Sequence, residues 1–354
     1  MERLKKICNH VFIDGLSGMA LGLFATLLTG TIIQQIGLLI GGNAGDTVYF
    51  FGKMAAAVTG AGIGVGTACK FKESPLVVLS AATAGMMGAF ASYILAGKVL
   101  AEGAIVLSGP GEPLGAFIAA LVGIELGHLV SGKTKVDILV TPLTVILSGS
   151  VVGLILGPPI SSLMGALGAI INWGTIQQPF LMGIIVSVLM GMILTLPISS
   201  AALGIILNLS GIAAGAATIG CCCNMVGFAV ASFRENKAGG LLAQGLGTSM
   251  LQVPNILRKP VIWIPAILSS AILGPVGTMA MNMQSNASGS GMGTCGLVGQ
   301  IMTWQVMAPA EGPAVTLIKI LVMHFILPAI LTLAISEFMR KRGWIQYGDM
   351  KLDL

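Results

Sequence analysis

The sequence predicts an all-α polytopic membrane protein, with about ten transmembrane segments and with broken or re-entrant helices around a central site. Three observations predict it. First, 55% of the 354 residues are hydrophobic, only 9% are charged, and mean hydropathy is +0.95. A soluble domain carries about 25% charged residues, so this chain cannot cover a water-facing surface. Second, 50 glycines stand against 3 Tyr and 4 Trp, and small residues let transmembrane helices approach closely. Third, the basic residues fall in clusters between apolar runs. These are Arg3/Lys5/Lys6, Lys70/Lys72, Lys133/Lys135, Arg234/Lys237, Arg258/Lys259 and Arg340/Lys341/Arg342. Such clusters mark the cytoplasmic ends of spans. The net charge of +5 then belongs to loops beside the bilayer and points to no nucleic acid.

Placing every basic cluster in the cytoplasm gives one path. No small-residue cleavage site follows a short apolar core near the basic N-terminus, so 15–40 reads as a retained first helix going out. Residues 43–53 form an outer loop, a second helix returns to Lys70, and 75–97 goes out again. A polar interruption at 98–113 holds Gly109-Pro110-Gly111-Glu112-Pro113. A helix over 114–131 comes in, and one over 138–156 goes out and stops at Gly157-Pro158-Pro159. A half-helix over 160–172 lies at the outer face, and 179–196 comes in and breaks at Pro197. Residues 198–233 are uncharged. They make two short crossings or a re-entrant hairpin with an incomplete span, since a full span takes about 20 residues.

An amphipathic segment over 238–257 lies on the inner face. A helix over 261–281 goes out, and the last, over 314–337, returns to Arg340. Both termini are then cytoplasmic, in a single transmembrane domain over 1–354. A weak internal echo suggests approximate halves, 1–172 and 173–354. Pro110-Gly-Glu112 resembles Pro309-Ala-Glu311, and the glycine-framed run 22–30 resembles 183–191.

Between the last two helices lies 282–313, NMQSNASGSGMGTCGLVGQIMTWQVMAPAEGP. It is too rich in Gly, Ser and Asn for a lipid-facing helix. Irregular backbone survives at membrane depth only where protein buries it or it lines a wet cavity. Broken helices mark transporter sites, so this stretch reads as the lining of a solute site, with a plain outer loop as the bland reading. Glu311, bracketed by Pro309 and Pro313, is the first candidate. It holds solute by charge-assisted hydrogen bonds, binds a proton, or caps the last helix. Glu112 has the same readings.

Neutral polar groups near Glu311 are Asn282, Gln284, Asn286, Gln300 and Thr303, with Gly293, Thr294 and Cys295 in the glycine-rich part and Asn208 in the 198–215 break. Ionisable groups within spans are functional candidates. Glu125 and His128 share one helix face at i and i+3 and suit proton or ion coupling or a structural polar pair. Lys319 neutralises a buried carboxylate or pairs with Glu311, and His324 is a solute ligand or a satisfied interior residue.

A metal site is not expected, since a lone Glu-x-x-His lacks its second motif and the six cysteines form no CxxC. Cys221-Cys222-Cys223 reads as close packing, because consecutive residues cannot all face one site on a helix. No cofactor is expected either. Enzymes fit poorly, without a Walker A, Gly-x-Ser-x-Gly or HExxH motif.

The opening GLSGMALGLFATLLTG at 15–30, GSGMGTCGLVG at 289–299 and APAEGP at 308–313 resemble the membrane (EIIC) branch of the phosphotransferase system. The compact sub-branch that includes the perfringolysin regulator is the nearest in pattern. The resemblance implies a homodimeric permease in a bacterial plasma membrane, with re-entrant hairpins and a sugar-like solute at mid-membrane. It also implies a Glu in a hairpin and a His on a neighbouring helix as solute ligands, a type that Glu311 matches first and Glu112 second. Separate IIB and IIA phosphocarriers are then the expected partners. Gly18, Gly22 and Gly30 suggest a helix face for the homodimer. The leading expectation is a permease for a small polar solute, by alternating access. The alternatives are an ion-coupled carrier of another solute and a membrane sensor that signals to a cytoplasmic partner.

Overall fold

The computed structural model describes residues 10–101, 104–107, 109–175, 177–198 and 200–352. The cluster Arg3/Lys5/Lys6 and Cys8 lie outside the described residues. The chain divides into two compact units, Met1–Leu163 and Met164–Leu354.

In the first unit, α1 (His10–Leu38) is followed by α2 (Gly42–Ala57) and α3 (Thr59–Lys70), which meet at a bend of 52°. The expected outer loop at 43–53 is therefore helix. The reason is packing: Gly37 of α1 lies against the backbone of Gly45 and Tyr49, and Gly30 against that of Gly52 and Ala56. Tertiary contact overrides a weak local helix preference. Gly18 and Gly22 likewise press onto the backbones of Gly66 and Gly62 in α3. The glycine face expected to meet a second copy thus packs within the protomer, so it carries no argument for a dimer.

Next come α4 (Pro75–Ala89), α5 (Ala91–Leu95) and a hairpin of β1 (Leu100–Ala101) and β2 (Ala104–Ile105). This hairpin occupies the polar interruption expected at 98–113. Pro113 opens α6 (Pro113–Val130), where its missing N–H costs no helical bond. The following helix, α7 (Asp137–Thr175), runs for 39 residues and contains Pro142, Pro158 and Pro159. The expected stop at Gly157-Pro158-Pro159 and the separate half-helix are overturned. Prolines are tolerated in membrane helices where neighbours satisfy the backbone, and here Ser92 Oγ donates to the Gly157 carbonyl at 3.3 Å. The boundary between units falls within α7.

The second unit is built around α10 (Gly211–Ala231), whose apolar window is 89% buried. Its neighbours α8 (Pro179–Thr195) and α13 (Pro260–Ala280) reach it through small residues: Gly220 meets the backbone of Ser187, and Gly191 that of Gly220. Among the described residues, the short α9 (Ser200–Ile206) stands between α8 and α10, followed by a turn with Asn208 and Gly211 at positive φ. The uncharged run therefore holds one short helix and one of 21 residues, long enough to span.

After α10 come α11 (Phe233–Leu242), which runs on as a π-helical turn to Gly247, a 3-10 turn over Ser249–Gln252, and α12 (Val253–Arg258). The amphipathic surface segment expected over 238–257 does not lie with its polar residues on a surface. Its polar residues face inward: Gln244, Ser249, Gln252 and Asn255 are buried. Gln252 Nε2 donates to Gln244 Oε1 at 2.8 Å and to the Met350 carbonyl at 2.9 Å, and Asn255 Nδ2 donates to the Lys351 carbonyl at 2.8 Å. These bonds pin the C-terminal segment. Arg340 pairs with the buried Glu235 carboxylate at 2.9 Å on the same side.

The chain ends with α14 (Ala287–Ser290), α15 (Val298–Glu311) and α16 (Pro313–Lys341). Among the described residues, α1, α6, α10, α13, α16 and the Asp137–Ile160 part of α7 are long and apolar enough to cross a membrane. The bent α2–α3 pair makes a seventh if it is one span, and α4 and α8 are shorter apolar helices. The fold is all-α and multi-pass, with fewer full-length spans than the ten segments expected.

Candidate functional site

The second unit turns the glycine-rich stretch into a support for a helical hairpin. Ser285 N–H donates to the Gly211 carbonyl at 3.2 Å, tying the stretch to the start of α10. Asn286 caps α14: its Oδ1 accepts from Gly289 N–H at 3.0 Å, as an N-cap Asn should. Its Nδ2 reaches Met302 Sδ at 3.4 Å. Gly293 has φ +52 and lies against Cys221, where a Cβ would clash with the Cys221 and Cys222 backbone. Glycine is required there by both conformation and space. Thr294 Oγ1 donates to Met225 Sδ at 3.5 Å, and Cys295 is buried.

After α15 the chain turns at Gly312, with φ +87, and Pro313 opens α16. Gln300 and His324 stand equally far before and after Gly312, yet Gln300 Nε2 lies 3.2 Å from His324 Nδ1. The two arms therefore fold back on each other, with Gly312 at the tip. Both residues are buried, and His324 is fully so. It sits on a π-helical turn, Leu321–Ile326, a distortion frequent at functional sites. Gln300 Nε2 also reaches Cys222 Sγ of α10, at 3.5 Å. Among the described residues, Gln300 Oε1, His324 Nε2, Thr303 Oγ1 and Ser285 Oγ are buried without a hydrogen-bond partner. Such atoms are costly to leave unpaired and are the capacity a polar solute would use.

Nearer the tip, Lys319 Nζ donates to Glu311 Oε2 at 2.6 Å, with both side chains part-buried. Glu311 is thus held by Lys319, and the contact found for it is this pair rather than a cap on α16.

A family model described as phosphotransferase system, EIIC, matches residues 13–352. The chain belongs to the phosphotransferase EIIC family. No curated protein matches it. This EIIC protein is therefore a phosphotransferase-type membrane transport component.

The other candidates of the EIIC chain are dispersed. In the first unit, Glu112 precedes α6, and its N–H donates to the Ala89 carbonyl at 2.8 Å. Glu125 bonds to His10 at 2.8 Å, and His128 bonds to Glu73 at 3.0 Å. The i, i+3 pair thus looks to two different partners, on a largely exposed face. In the second unit, Asn208 is exposed, with φ +48, the left-handed residue that ends α9. Asn282 is exposed with φ +45, and Gln284 offers its N–H to Met307 Sδ at 3.3 Å. Among the described residues no group of three His, Cys, Asp or Glu can hold a metal.

Sequence reasoning missed Ser285 and Thr218, and read Cys222, which meets Gln300 at 3.5 Å, as close packing only. Thr218 Oγ1 donates to the Gly289 carbonyl at 3.3 Å. A signal existed: Thr218 and Cys222 are i and i+4 on α10 and share one face, the face that meets the glycine-rich stretch.

Proposed function

We propose that this EIIC protein carries a small polar, sugar-like solute across the membrane by alternating access, and that the α15–α16 hairpin of the second unit holds the solute. The supporting observation is the buried pair Gln300–His324, whose remaining polar atoms have no protein partner among the described residues. Thr303 and Ser285 add hydroxyls of the same kind. Glu311, joined to Lys319, sits at the hairpin tip and acts on the path as a neutralised pair. Glu112 belongs to the other unit and is assigned no solute contact. Separate IIB and IIA phosphocarriers supply the phosphoryl group, the chain works as a homodimer, and both termini face the cytoplasm of a bacterial cell.

Uptake into proteoliposomes tests this. Labelled hexoses are offered with and without phosphocarriers and phosphoenolpyruvate. Accumulation that requires the phosphocarriers is the expected result. Accumulation driven by an ion gradient alone overturns the coupling. Saturable binding without accumulation makes the protein a sensor.

A further inference from the structure

We infer that Gln300 is a positioning residue that sets the tautomer of His324, so that the pair presents one fixed donor and one fixed acceptor to an uncharged hydroxylated solute. The inference rests on the solute site proposed above and adds how that site recognises its cargo.

The argument is one of donor and acceptor counts. A glutamine amide nitrogen has two N–H donors and no acceptor, and a neutral imidazole has one of each. Gln300 Nε2 faces two groups, Cys222 Sγ at 3.5 Å and His324 Nδ1 at 3.2 Å. Both must accept, so Nδ1 carries no proton and the ring proton resides on Nε2. His324 Nε2–H is then a buried donor, and Gln300 Oε1 a buried acceptor, and neither has a partner among the described residues. Both side chains are at least nine-tenths buried. One hydroxyl accepts from Nε2–H, and a neighbouring hydroxyl donates to Oε1.

No formal charge enters this recognition. The nearby charges on the hairpin, Glu311 and Lys319, cancel each other. A pair of hydroxyls satisfies both Nε2–H and Oε1. A carboxylate can accept from Nε2–H but brings no proton to Oε1, and an ammonium can donate to Oε1 but cannot accept from Nε2–H. Mispaired buried groups of this kind are what give polar sites their discrimination.

The test reads the proton directly. Protein labelled with ring-15N histidine is reconstituted in nanodiscs, and the three histidines are assigned with His10→Gln and His128→Gln. For His324 the expected spectrum has a pyridine-type Nδ1 and a pyrrole-type Nε2. In Gln300→Glu an ionised carboxylate only accepts, so once the carboxyl is deprotonated, as read from its 13C shift, the ring proton resides on Nδ1. In Gln300→Met the fixed tautomer is lost. A wild-type proton on Nδ1, or an unchanged tautomer in Gln300→Glu with its carboxyl ionised, overturns the inference. The wild-type spectrum decides even if a variant fails to fold.

In parallel, binding of labelled D-glucose, D-mannitol and D-gluconate is measured on the same nanodiscs. An uncharged member is expected to bind, with Gln300→Glu weakening it roughly ten- to a hundredfold. Preference for gluconate overturns the neutral recognition. Binding of none of the three, with the stated tautomer present, counts against the solute site and leaves the Gln300–His324 assignment standing.

Discussion

His128 in the first unit and His324 in the second occupy similar places in the sequence. Each follows a Pro/Gly break that carries a glutamate, and each lies on the helix that starts at the break. In the first unit the break is occupied by a small β-hairpin, and α6 carries His128 to a surface where its side chain is 66% exposed and bonded to Glu73. In the second unit the break is a single residue, Gly312. The chain doubles back at once and buries His324 against Gln300. The same sequence ingredients thus yield a surface ion pair in one unit and a buried polar site in the other. In the first unit α6 also packs on an earlier helix, with Gly115 against the backbone of Gly88 in α4, so the two units differ in whether the histidine falls on the packed face of its helix.

The units also differ in how polar groups are held. The second unit buries an ion pair, Glu235–Arg340, with the carboxylate side chain fully covered. Removing one partner strands the other charge away from water. Glu235→Ala should therefore have the largest effect, about 3–5 kcal/mol of stability, read as a large fall in melting temperature in detergent. A change below about 1 kcal/mol would place that pair among the surface ones.

In the first unit the corresponding weak point is apolar. Gly22 lies on the backbone of Gly62, where a methyl group has no room. Gly22→Ala should cost about 1–3 kcal/mol by overpacking, whereas Gly41, with open space around it, should show only the strain of its positive φ. Equal losses would mean that the α1–α3 contact is looser than the structure has it.

Glu311→Gln should come next. The Glu311–Lys319 pair is part-exposed, so about 1 kcal/mol of stability is expected to go, with solute affinity held. A ten- to hundredfold loss of affinity, the mark of a lost charge-assisted bond of roughly 1.5–3 kcal/mol, would make Glu311 a direct solute ligand.

His128→Ala should have the smallest effect, about 0.5–1 kcal/mol, because the His128 ring is exposed although its partner Glu73 is largely covered. It should leave transport intact. Loss of uptake on this substitution would return α6 to the solute path and blur the contrast between the two histidines.

Much was legible in the sequence because hydrocarbon is a demanding solvent. A chain with 9% charge can only be a membrane protein, and the helices at 113–130, 179–195, 260–280 and 313–341 are found close to where long apolar runs place them. Their backbone bonds close within each segment, so local composition suffices to predict them. The pairing of Lys319 with Glu311 was legible too, as one of two open readings, since both residues sit near the turn.

What only the tertiary structure decided are the features that depend on a partner surface. The helix at 42–57 forms because glycines of α1 accept it. Pro158 and Pro159 fail to stop α7, with Ser92 bonded to the Gly157 carbonyl beside them. The polar face of 238–257 turns inward because the C-terminal carbonyls are there to receive it. Above all, the place of His324 follows from the fold-back at Gly312, which brings Gln300 to it from the opposite arm. Composition and periodicity report what one segment prefers against lipid or water. They carry no record of which distant side chain will supply the missing hydrogen bond.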